Sequence, residues 1–238
     1  MLPYLDTKSA FPPVSEALDE PCGLLAAGAD LSVNRLLDAY SSGIFPWFSE
    51  GEPILWWSPN PRTVFLVDQY KPSKSLRRFM RQTPLTITLN NDFEQVIHAC
   101  AAPRKDHSGT WITDEIKQAY LKLHQLGHAH SLEVWQDNNL VGGIYGVSIG
   151  KLFCGESMFS NISNGSKVAL TCLIGYLKPE GFPIIDCQVE NPHLLSLGAV
   201  SIEREDYLTY LNRAKAERVE QEFWKPKTLG SQLVSNVL

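Results

Sequence analysis

Three polar residues within two apolar segments are the strongest candidates for chemistry in this sequence. Glu156 lies in the segment 153–159, and Asp186 and Gln188 lie in the segment 184–189. Short apolar segments of this kind form buried strands, where an unpaired polar group costs ~1 to 3 kcal/mol and an unpaired charge costs more. If the two strands are neighbours, the three side chains converge on one polar patch. We therefore predict that this patch is functional rather than a set of separately satisfied core residues.

The side chains of a strand alternate between its two faces, and this alternation predicts which residues meet. Asp186 and Gln188 are expected to point the same way. In the other segment, Cys154, Glu156 and Met158 are expected to share one face. The opposite face is expected to carry Phe153, Gly155, Ser157 and Phe159.

Other motifs for catalysis or ligand binding are incomplete. The glycines at 142–146 lack the spacing of a dinucleotide-binding fingerprint, and residues 165–167 lack the residue order of a phosphate-binding loop. His124 and His128 are four residues apart on a predicted helix, but Gln125 stands where a metalloprotease needs glutamate. Because no third ligand is evident either, we predict no metal site.

The five cysteines are scattered and include no C-x-x-C pair, so the sequence encodes neither a disulfide framework nor a zinc site. A cysteine hydrolase that uses Cys187 or Cys154 with His193 is an alternative to the polar patch. Because Cys187 is expected to face away from Asp186, this alternative is the weaker of the two.

The composition, with 44% hydrophobic and 20% charged residues among 238, is that of an ordinary globular protein. The first nine residues lack a basic region followed by an apolar one, and no segment approaches the ~18 apolar residues of a membrane helix. We expect a cytoplasmic protein without a membrane partner.

The net charge of −5 conceals one basic surface. Residues 69–91 include no acid, and four basic residues recur there at the i, i+3, i+4, i+7 spacing of one helix face. These four residues, the basic face, are Lys74, Arg77, Arg78 and Arg81. A solvated helix face and a phosphate-binding ridge both fit this pattern.

Residues 1–62 are expected to form a small separate domain. A helix is predicted from Asn34 to Tyr40, and the segment 43–62 that follows contains four prolines among many aromatic residues. Because proline interrupts helices and central strands, we predict an ordered but irregular segment with no central strand. Its rings would pack between domains or offer a stacking platform for bases.

From residue 63 to residue 238, predicted helices are interleaved with predicted strands. Three consecutive strands, at 131–136, at 140–149 and through Glu156, are typical of an antiparallel meander. Asp92, Thr113 and Asn191 are typical helix caps. This order predicts an α+β domain in which helices flank a mixed, mostly antiparallel sheet.

Seven short motifs, in order along nearly the whole chain, together resemble the bacterial leucyl/phenylalanyl-tRNA–protein transferase family. They are GLLA at 23–26, GIFPWF at 43–48, PILWWSP at 53–59, GTWI at 109–112, GHAHS at 127–131, FCGESMF at 153–159 and IDCQ at 185–188. The resemblance implies an aminoacyltransferase that moves leucine or phenylalanine, with methionine as a further candidate, from aminoacyl-tRNA. The acceptor would be the N-terminal arginine or lysine of a protein, and the new peptide bond would create a degradation signal.

The resemblance also implies a fold and a set of binding residues. The domain 63–238 would be similar to the GCN5-type acetyltransferase fold, without coenzyme A or any other cofactor, and we expect a monomer. The apolar pocket for the amino acid would be lined by Ile144, Phe153, Met158 and Leu170. The terminal adenosine of the tRNA would lie near Tyr40, Trp47, Trp111 and Tyr120. The basic face becomes the candidate for the acceptor-stem backbone.

Because an aminoacyl-tRNA is already an activated ester, its aminolysis requires positioning more than a covalent nucleophile. Our hypothesis is that Gln188 accepts a hydrogen bond from the attacking amine and that Asp186 orients the Gln188 amide. The amine proton would pass to Asp186, Glu156, the vicinal hydroxyl of the tRNA or water; Glu156 could instead hold the basic N-terminus. Two other classes stay open, an acetyltransferase that uses acetyl-CoA and a noncatalytic module that binds peptides beginning with arginine.

Overall fold

The computed structural model describes residues 2–102 and 110–230. The predicted loop 103–109, with Gly109 of the fourth motif, lies outside the described residues.

The N-terminal part of the chain forms a small four-stranded sheet. Its elements are β1 (Tyr4–Leu5), a 3-10 turn (Val14–Glu16), β2 (Leu24–Gly28), α1 (Val33–Ser41), β3 (Phe45–Pro46) and β4 (Leu55–Trp57). The strand order is β1-β2-β4-β3, so β4 is an inner strand. The prediction that this segment contains no central strand is therefore wrong. Pro53 and Pro59 lie outside β4, so every residue of the strand keeps its backbone N–H for pairing.

The rest of the chain builds one larger sheet with helices on both faces. Its elements are β5 (Arg62–Leu66), α2 (Lys74–Gln82), β6 (Thr86–Leu89), α3 (Phe93–Ala101), α4 (Asp114–Gln125), β7 (Ala129–Gln136), β8 (Asn139–Ile149), β9 (Leu152–Ser160), α5 (Gly165–Leu177), a 3-10 turn (Lys178–Glu180), β10 (Ile184–Asp186), α6 (Pro192–Ser196), β11 (Val200–Ile202), α7 (Arg204–Ala214) and β12 (Lys227–Leu229). The side chains of Asp92, Thr113 and Asn191 accept the capping hydrogen bonds of α3, α4 and α6.

The large sheet has eight strands in the order β11-β5-β10-β9-β8-β7-β6-β12. Strands β9 and β10 are parallel, and every other neighbouring pair is antiparallel. The α+β class and the β7-β8-β9 meander are therefore confirmed. The division of the chain at residue 62 stays a prediction.

Two core clusters lie on the two faces of the large sheet. The first core cluster is built by α1, α3, α4 and α7 against one face, and it also takes in the small N-terminal sheet. The second core cluster is built by α2, α5 and the segment after α7 against the other face. The site residues of β9 and β10 lie between these two layers.

A β-bulge in β9 changes which residues share a face. Tyr145 of β8 pairs with Ser157, and the next residue, Gly146, pairs with Gly155, so Glu156 has no partner across the strands. As a result Cys154 packs in the first core cluster, whereas Met158 packs against the second. The prediction that Cys154, Glu156 and Met158 share one face is therefore wrong.

The opposite-face prediction fails for the same reason. Phe153 belongs to the second core cluster, and Phe159 belongs to the first. Position 146, opposite the bulge, has no room for a side chain: a Cβ atom on Gly146 would lie 2.1 Å from the carbonyl oxygen of Cys154. The bulge therefore interrupts the two-residue period that the sequence alone suggested.

Candidate active site

Glu156, the unpaired residue of the bulge, lies at the centre of a hydrogen-bonded cluster. Its Oε1 accepts hydrogen bonds from the Tyr40 hydroxyl at 2.7 Å and from Nε2 of Gln188 at 3.0 Å. Its Oε2 accepts one from the Tyr120 hydroxyl at 3.1 Å. A carboxylate has about four acceptor positions, so one position on Oε2 stays open among the described contacts. The residue as a whole is partly buried.

Burial raises the pKa of Glu156 to about 7. Hydrogen bonds from Tyr40 and Tyr120 oppose this shift because they stabilise the ionised form, and the negative charge of Asp186 adds to it. A carboxyl group with this pKa is a mixture of acid and base at neutral pH. It can therefore take up a proton and return it during one reaction.

Asp186, on the neighbouring strand β10, is held in a different way. Nε and Nη2 of Arg62 donate to its two oxygens at 2.8 and 2.7 Å in a bidentate ion pair. The backbone N–H of Gln188 donates to Oδ1 at 3.0 Å, and the Tyr207 hydroxyl donates to Oδ2 at 3.0 Å. These four hydrogen bonds occupy the acceptor positions of a carboxylate that is 0% exposed, which leaves little room for a substrate proton.

Arg62 and Tyr207 are the residues of this cluster that sequence reasoning missed, and Arg62 makes the larger number of contacts. It is 1% exposed, and its Nη1 donates to the carbonyl oxygen of Gly43 at 3.0 Å. The guanidinium lies over the rings of Phe45 and Tyr207, at 4.8 and 4.5 Å from their centroids. The Arg62 side chain thus contacts three separate parts of the chain: Gly43 in the N-terminal segment, Asp186 on β10 and Tyr207 on α7. The only signal in the sequence is a charged residue at the start of an apolar strand, which does not distinguish a buried arginine from an exposed one.

Gln188 follows β10 with a left-handed backbone, φ 60°, which a non-glycine residue rarely adopts. Its carbonyl oxygen accepts from the N–H of Thr63, and its own N–H binds Asp186. The side-chain amide donates to Glu156. The predicted convergence of Glu156, Asp186 and Gln188 is therefore confirmed, but Asp186 contacts the backbone of Gln188 and Glu156 contacts its amide.

Two of the four residues predicted near the terminal adenosine have no free ring face. Tyr40 and Tyr120 are 1% and 0% exposed, and their hydroxyl groups bind each other and Glu156. In this structure they hold the carboxyl group and cannot stack on a base. Trp47 is 42% exposed and lies against the ring of Trp57, and Trp111 is partly buried.

The four residues predicted to line an amino-acid pocket come together beside the bulge. Ile144, Phe153 and Leu170 are buried in the second core cluster, and Met158 packs against it. Ile144 is also the pairing partner of Met158 across β8 and β9. The apolar group thus lies on the α5 side of β9, and two of its members, Phe153 and Met158, are within three residues of Glu156 along the chain.

The basic face lies on α2, as the spacing predicts. Leu76 is buried below it, and Phe79 and Met80 pack against the second core cluster. Lys74, Arg78 and Arg81 are exposed, and Arg77 is partly exposed. Among the described residues, none of the four forms an ion pair with an acid. The charge is therefore available to an anionic partner.

The two cysteines of the cysteine-hydrolase alternative, Cys154 and Cys187, are not activated nucleophiles. Burial raises the pKa of the Cys154 thiol and of the Cys187 thiol, which disfavours the reactive thiolate. Within the ranges 2–102 and 110–230, no group of three His, Cys, Asp or Glu side chains could hold a metal ion. In the same ranges no helix has the length and apolar character needed to cross a membrane.

Comparison with known proteins agrees with the motifs. The sequence model described as leucyl/phenylalanyl-tRNA protein transferase matches residues 64–212, and the model of that protein's N-terminal domain matches residues 29–60. A leucyl/phenylalanyl-tRNA–protein transferase of Idiomarina loihiensis is 53% identical over 96% of this chain and 98% of its own length. One from Pseudoalteromonas atlantica is 52% identical over 94% and 96%, and one from Klebsiella pneumoniae is 55% identical over 92% and 94%.

Solved structures are more distant. A functionally unknown conserved protein from Staphylococcus epidermidis superposes with a TM-score of 0.41 at 14% identity, over 76% of this chain and 68% of its own, which is too weak a likeness to carry a conclusion. The sequence matches, in contrast, show that this chain belongs to the leucyl/phenylalanyl-tRNA protein transferase family.

Proposed function

We propose that the cluster around Glu156 is the active site at which this chain performs the reaction of its family. That reaction transfers leucine or phenylalanine, with methionine as a further candidate, from aminoacyl-tRNA to the N-terminal arginine or lysine of a protein. The product carries a new peptide bond and a degradation signal. The observation that carries the proposal is a carboxyl group with an open acceptor position and a pKa of about 7 beside an aspartate that is already saturated with donors.

The chemistry requires positioning and one proton acceptor. The nitrogen of the acceptor amine attacks the ester carbon, and the reference pKa of that amine, about 7.7 to 8.0, leaves a useful neutral fraction near pH 7. Holding both reactants in place contributes up to ~7 to 11 kcal/mol. The raised pKa values of the Cys154 and Cys187 thiols are consistent with a reaction that needs no covalent intermediate.

Glu156 is the proton acceptor in this proposal. Ionised Glu156 takes the amine proton through the open position on Oε2, the C–N bond forms, and the C–O bond to the tRNA ribose breaks. The neutral acid then returns the proton to the departing ribose oxygen, so the enzyme ends as it began. Gln188 fixes the Glu156 carboxyl group through its amide N–H and keeps its amide oxygen for the second hydrogen of the amine.

Asp186 acts as a fixed charge in this proposal. Because Arg62 and Tyr207 donate to its carboxylate oxygens, Asp186 is proposed to raise the pKa of Glu156 and to hold the backbone of Gln188.

The tRNA is proposed to bind in three places. The amino-acid side chain would occupy the apolar group of Ile144, Phe153, Met158 and Leu170, and the terminal adenosine would lie against Trp47 and Trp111. Stacking on such a ring contributes ~1 to 3 kcal/mol per base. The acceptor stem would lie along the basic face. We also propose a GCN5-type acetyltransferase-like catalytic domain beginning at residue 63, a monomer, and a cytoplasmic location without a cofactor.

A peptide assay tests the proposal. A peptide that begins with arginine is incubated with the protein and with leucyl- or phenylalanyl-tRNA, and its mass is measured. We expect the addition of one residue to this peptide and none to the same peptide with an acetylated N-terminus. A peptide that binds but never changes mass would favour the recognition module, and a gain of one acetyl group from acetyl-CoA would favour the acetyltransferase.

A salt titration tests the basic face. The variant Lys74→Ala/Arg78→Ala should bind all charged tRNAs more weakly, and the slope of log K against log salt should fall by about 2. The variant Arg213→Ala/Arg218→Ala removes the same charge from an exposed region after and within α7 and should leave the slope unchanged. Equal slopes for the two variants would restore the solvated-face interpretation.

A further inference from the structure

The segment that follows α7 closes the face of the sheet on which the apolar group lies. This segment, the C-terminal strap, comprises residues 219–229. Its last part forms β12, the edge strand of the large sheet, which pairs with β6. Its middle part carries Phe223 and Trp224, whose rings pack in the second core cluster.

The ring of Trp224 is held from two sides. It stacks on His130 of β7, with 3.8 Å between ring centroids and 4° between the planes. Nδ2 of Asn90 donates to the carbonyl oxygen of Trp224 at 2.6 Å and lies 3.0 Å from Nδ1 of the same histidine. These contacts fix the ring in one position over the sheet.

Trp224 also reaches the apolar group beside the active site. Its ring lies 5.9 Å from that of Phe153, and within the described residues it is the one aromatic ring that contacts Phe153. The ring of Phe153 also lies close to Gly146, where an added Cβ would be 2.6 Å from the ring. Phe153 therefore has both Gly146, beside the bulge, and Trp224 of the strap as neighbours.

We infer that Trp224 is a specificity-determining residue, which sets the depth of the amino-acid pocket by holding Phe153 in place. This inference rests on the proposed function, because it requires the pocket to be where Phe153 lies. A pocket distinguishes side chains of different size through the positions of its walls, and one methylene group is worth roughly 10- to 200-fold in such a pocket. Removing the ring behind Phe153 lets this wall retreat, which favours the larger phenylalanine over leucine.

The test compares the two donors. For wild type and variants, kcat/KM is measured with phenylalanyl-tRNA and with leucyl-tRNA, and the ratio of the two values is followed. Trp224→Leu should raise the phenylalanine-to-leucine ratio by about fivefold. Trp224→Phe, which keeps a ring against His130, should raise the ratio less. The comparison variant is Phe223→Leu in the same strap; its ring contacts Tyr176, Phe182 and Trp224 but not Phe153, so we expect a smaller change in the ratio than Trp224→Leu gives.

The outcomes separate this inference from the proposed function. If wild type transfers neither amino acid, the proposed function fails. If wild type is active and the ratio for folded Trp224→Leu equals the wild-type ratio, the inference about Trp224 is wrong. Should Trp224→Leu fail to fold, Trp224→Phe decides by the same ratio. A ratio that changes equally in Phe223→Leu would also overturn it, because the effect would then belong to the strap as a whole.

Discussion

Two carboxyl groups lie on adjacent parallel strands and are held in opposite ways. Asp186 has four donors, is fully buried and faces an arginine. Glu156 has three donors, all of them neutral, and is partly exposed. Asp186 has a charged partner, whereas the direct donors to Glu156 are neutral and burial raises the pKa of Glu156 to about 7, close to balance between acid and anion at neutral pH. The two carboxyl groups therefore differ in whether an acceptor position stays open, and this difference is the reason for proposing Glu156 rather than Asp186 as the proton acceptor.

The largest expected effect is on the rate of aminoacyl transfer when Glu156, rather than Asp186, loses its ability to accept a proton. Glu156→Gln keeps the shape of the side chain and removes the proton acceptor. We expect transfer to slow by about 10²- to 10⁴-fold in single-turnover measurements, with binding of leucyl-tRNA within about twofold of wild type. A variant that keeps its rate but binds tRNA poorly would make Glu156 a binding residue instead.

The next effect concerns stability. Arg62→Leu leaves the Asp186 charge buried without its partner, and we expect the free energy of unfolding in urea to fall by about 3 to 5 kcal/mol. The double variant Arg62→Leu/Asp186→Leu removes both charges and should recover most of that loss, although transfer stays low. If the single variant unfolds like wild type, the ion pair does not hold this region together.

A smaller effect follows from the raised pKa of Glu156. In the unfolded chain the carboxyl group ionises near its ordinary value of 4.5, but in the folded protein it does so only near 7. Its contribution to stability is therefore fully present below about pH 4.5 and is lost as the pH rises to 7. Glu156→Gln should be more stable than wild type by about 1 to 3 kcal/mol at pH 8 and equal to it at pH 4. Thermal unfolding at both pH values measures this difference.

The smallest effect comes from the tyrosines. The Tyr40 hydroxyl stabilises the ionised form of Glu156, so Tyr40→Phe should raise the pKa of Glu156 by up to about one unit. The Tyr120 hydrogen bond is longer, 3.1 Å against 2.7 Å, so Tyr120→Phe should raise it less. Reversal of this order would show that the two hydroxyl groups act through each other rather than on the carboxyl group directly.

The sequence was sufficient to predict the helices and the three polar residues Glu156, Asp186 and Gln188. Apolar periodicity and caps such as Asp92 and Asn191 act locally, so they predict helices correctly without knowledge of the fold. The convergence of Glu156, Asp186 and Gln188 followed from two polar interruptions in apolar strands.

What the sequence could not provide depends on contacts between distant segments. Arg62 is 124 residues from Asp186 along the chain, and Tyr40 is 116 residues from Glu156, so neither pairing leaves a local pattern. The bulge at Glu156 was missed because strand alternation assumes an unbroken register. Gly146 and Gly155 were the available signals. A glycine in a strand indicates a bulge, but it does not show which neighbouring residue loses its partner on the next strand.

The most direct test of the account is a titration of Glu156 itself. Protein labelled with ¹³C at the glutamate carboxyl carbons is followed by NMR from pH 4 to pH 9, and the Glu156 signal is identified by its loss in Glu156→Gln. Burial also raises the pKa of Glu133, so its signal is assigned separately with Glu133→Gln. We predict that Glu156 titrates near pH 7. Titration of that signal at its ordinary value near 4.5 would contradict the claim that Glu156 accepts the amine proton.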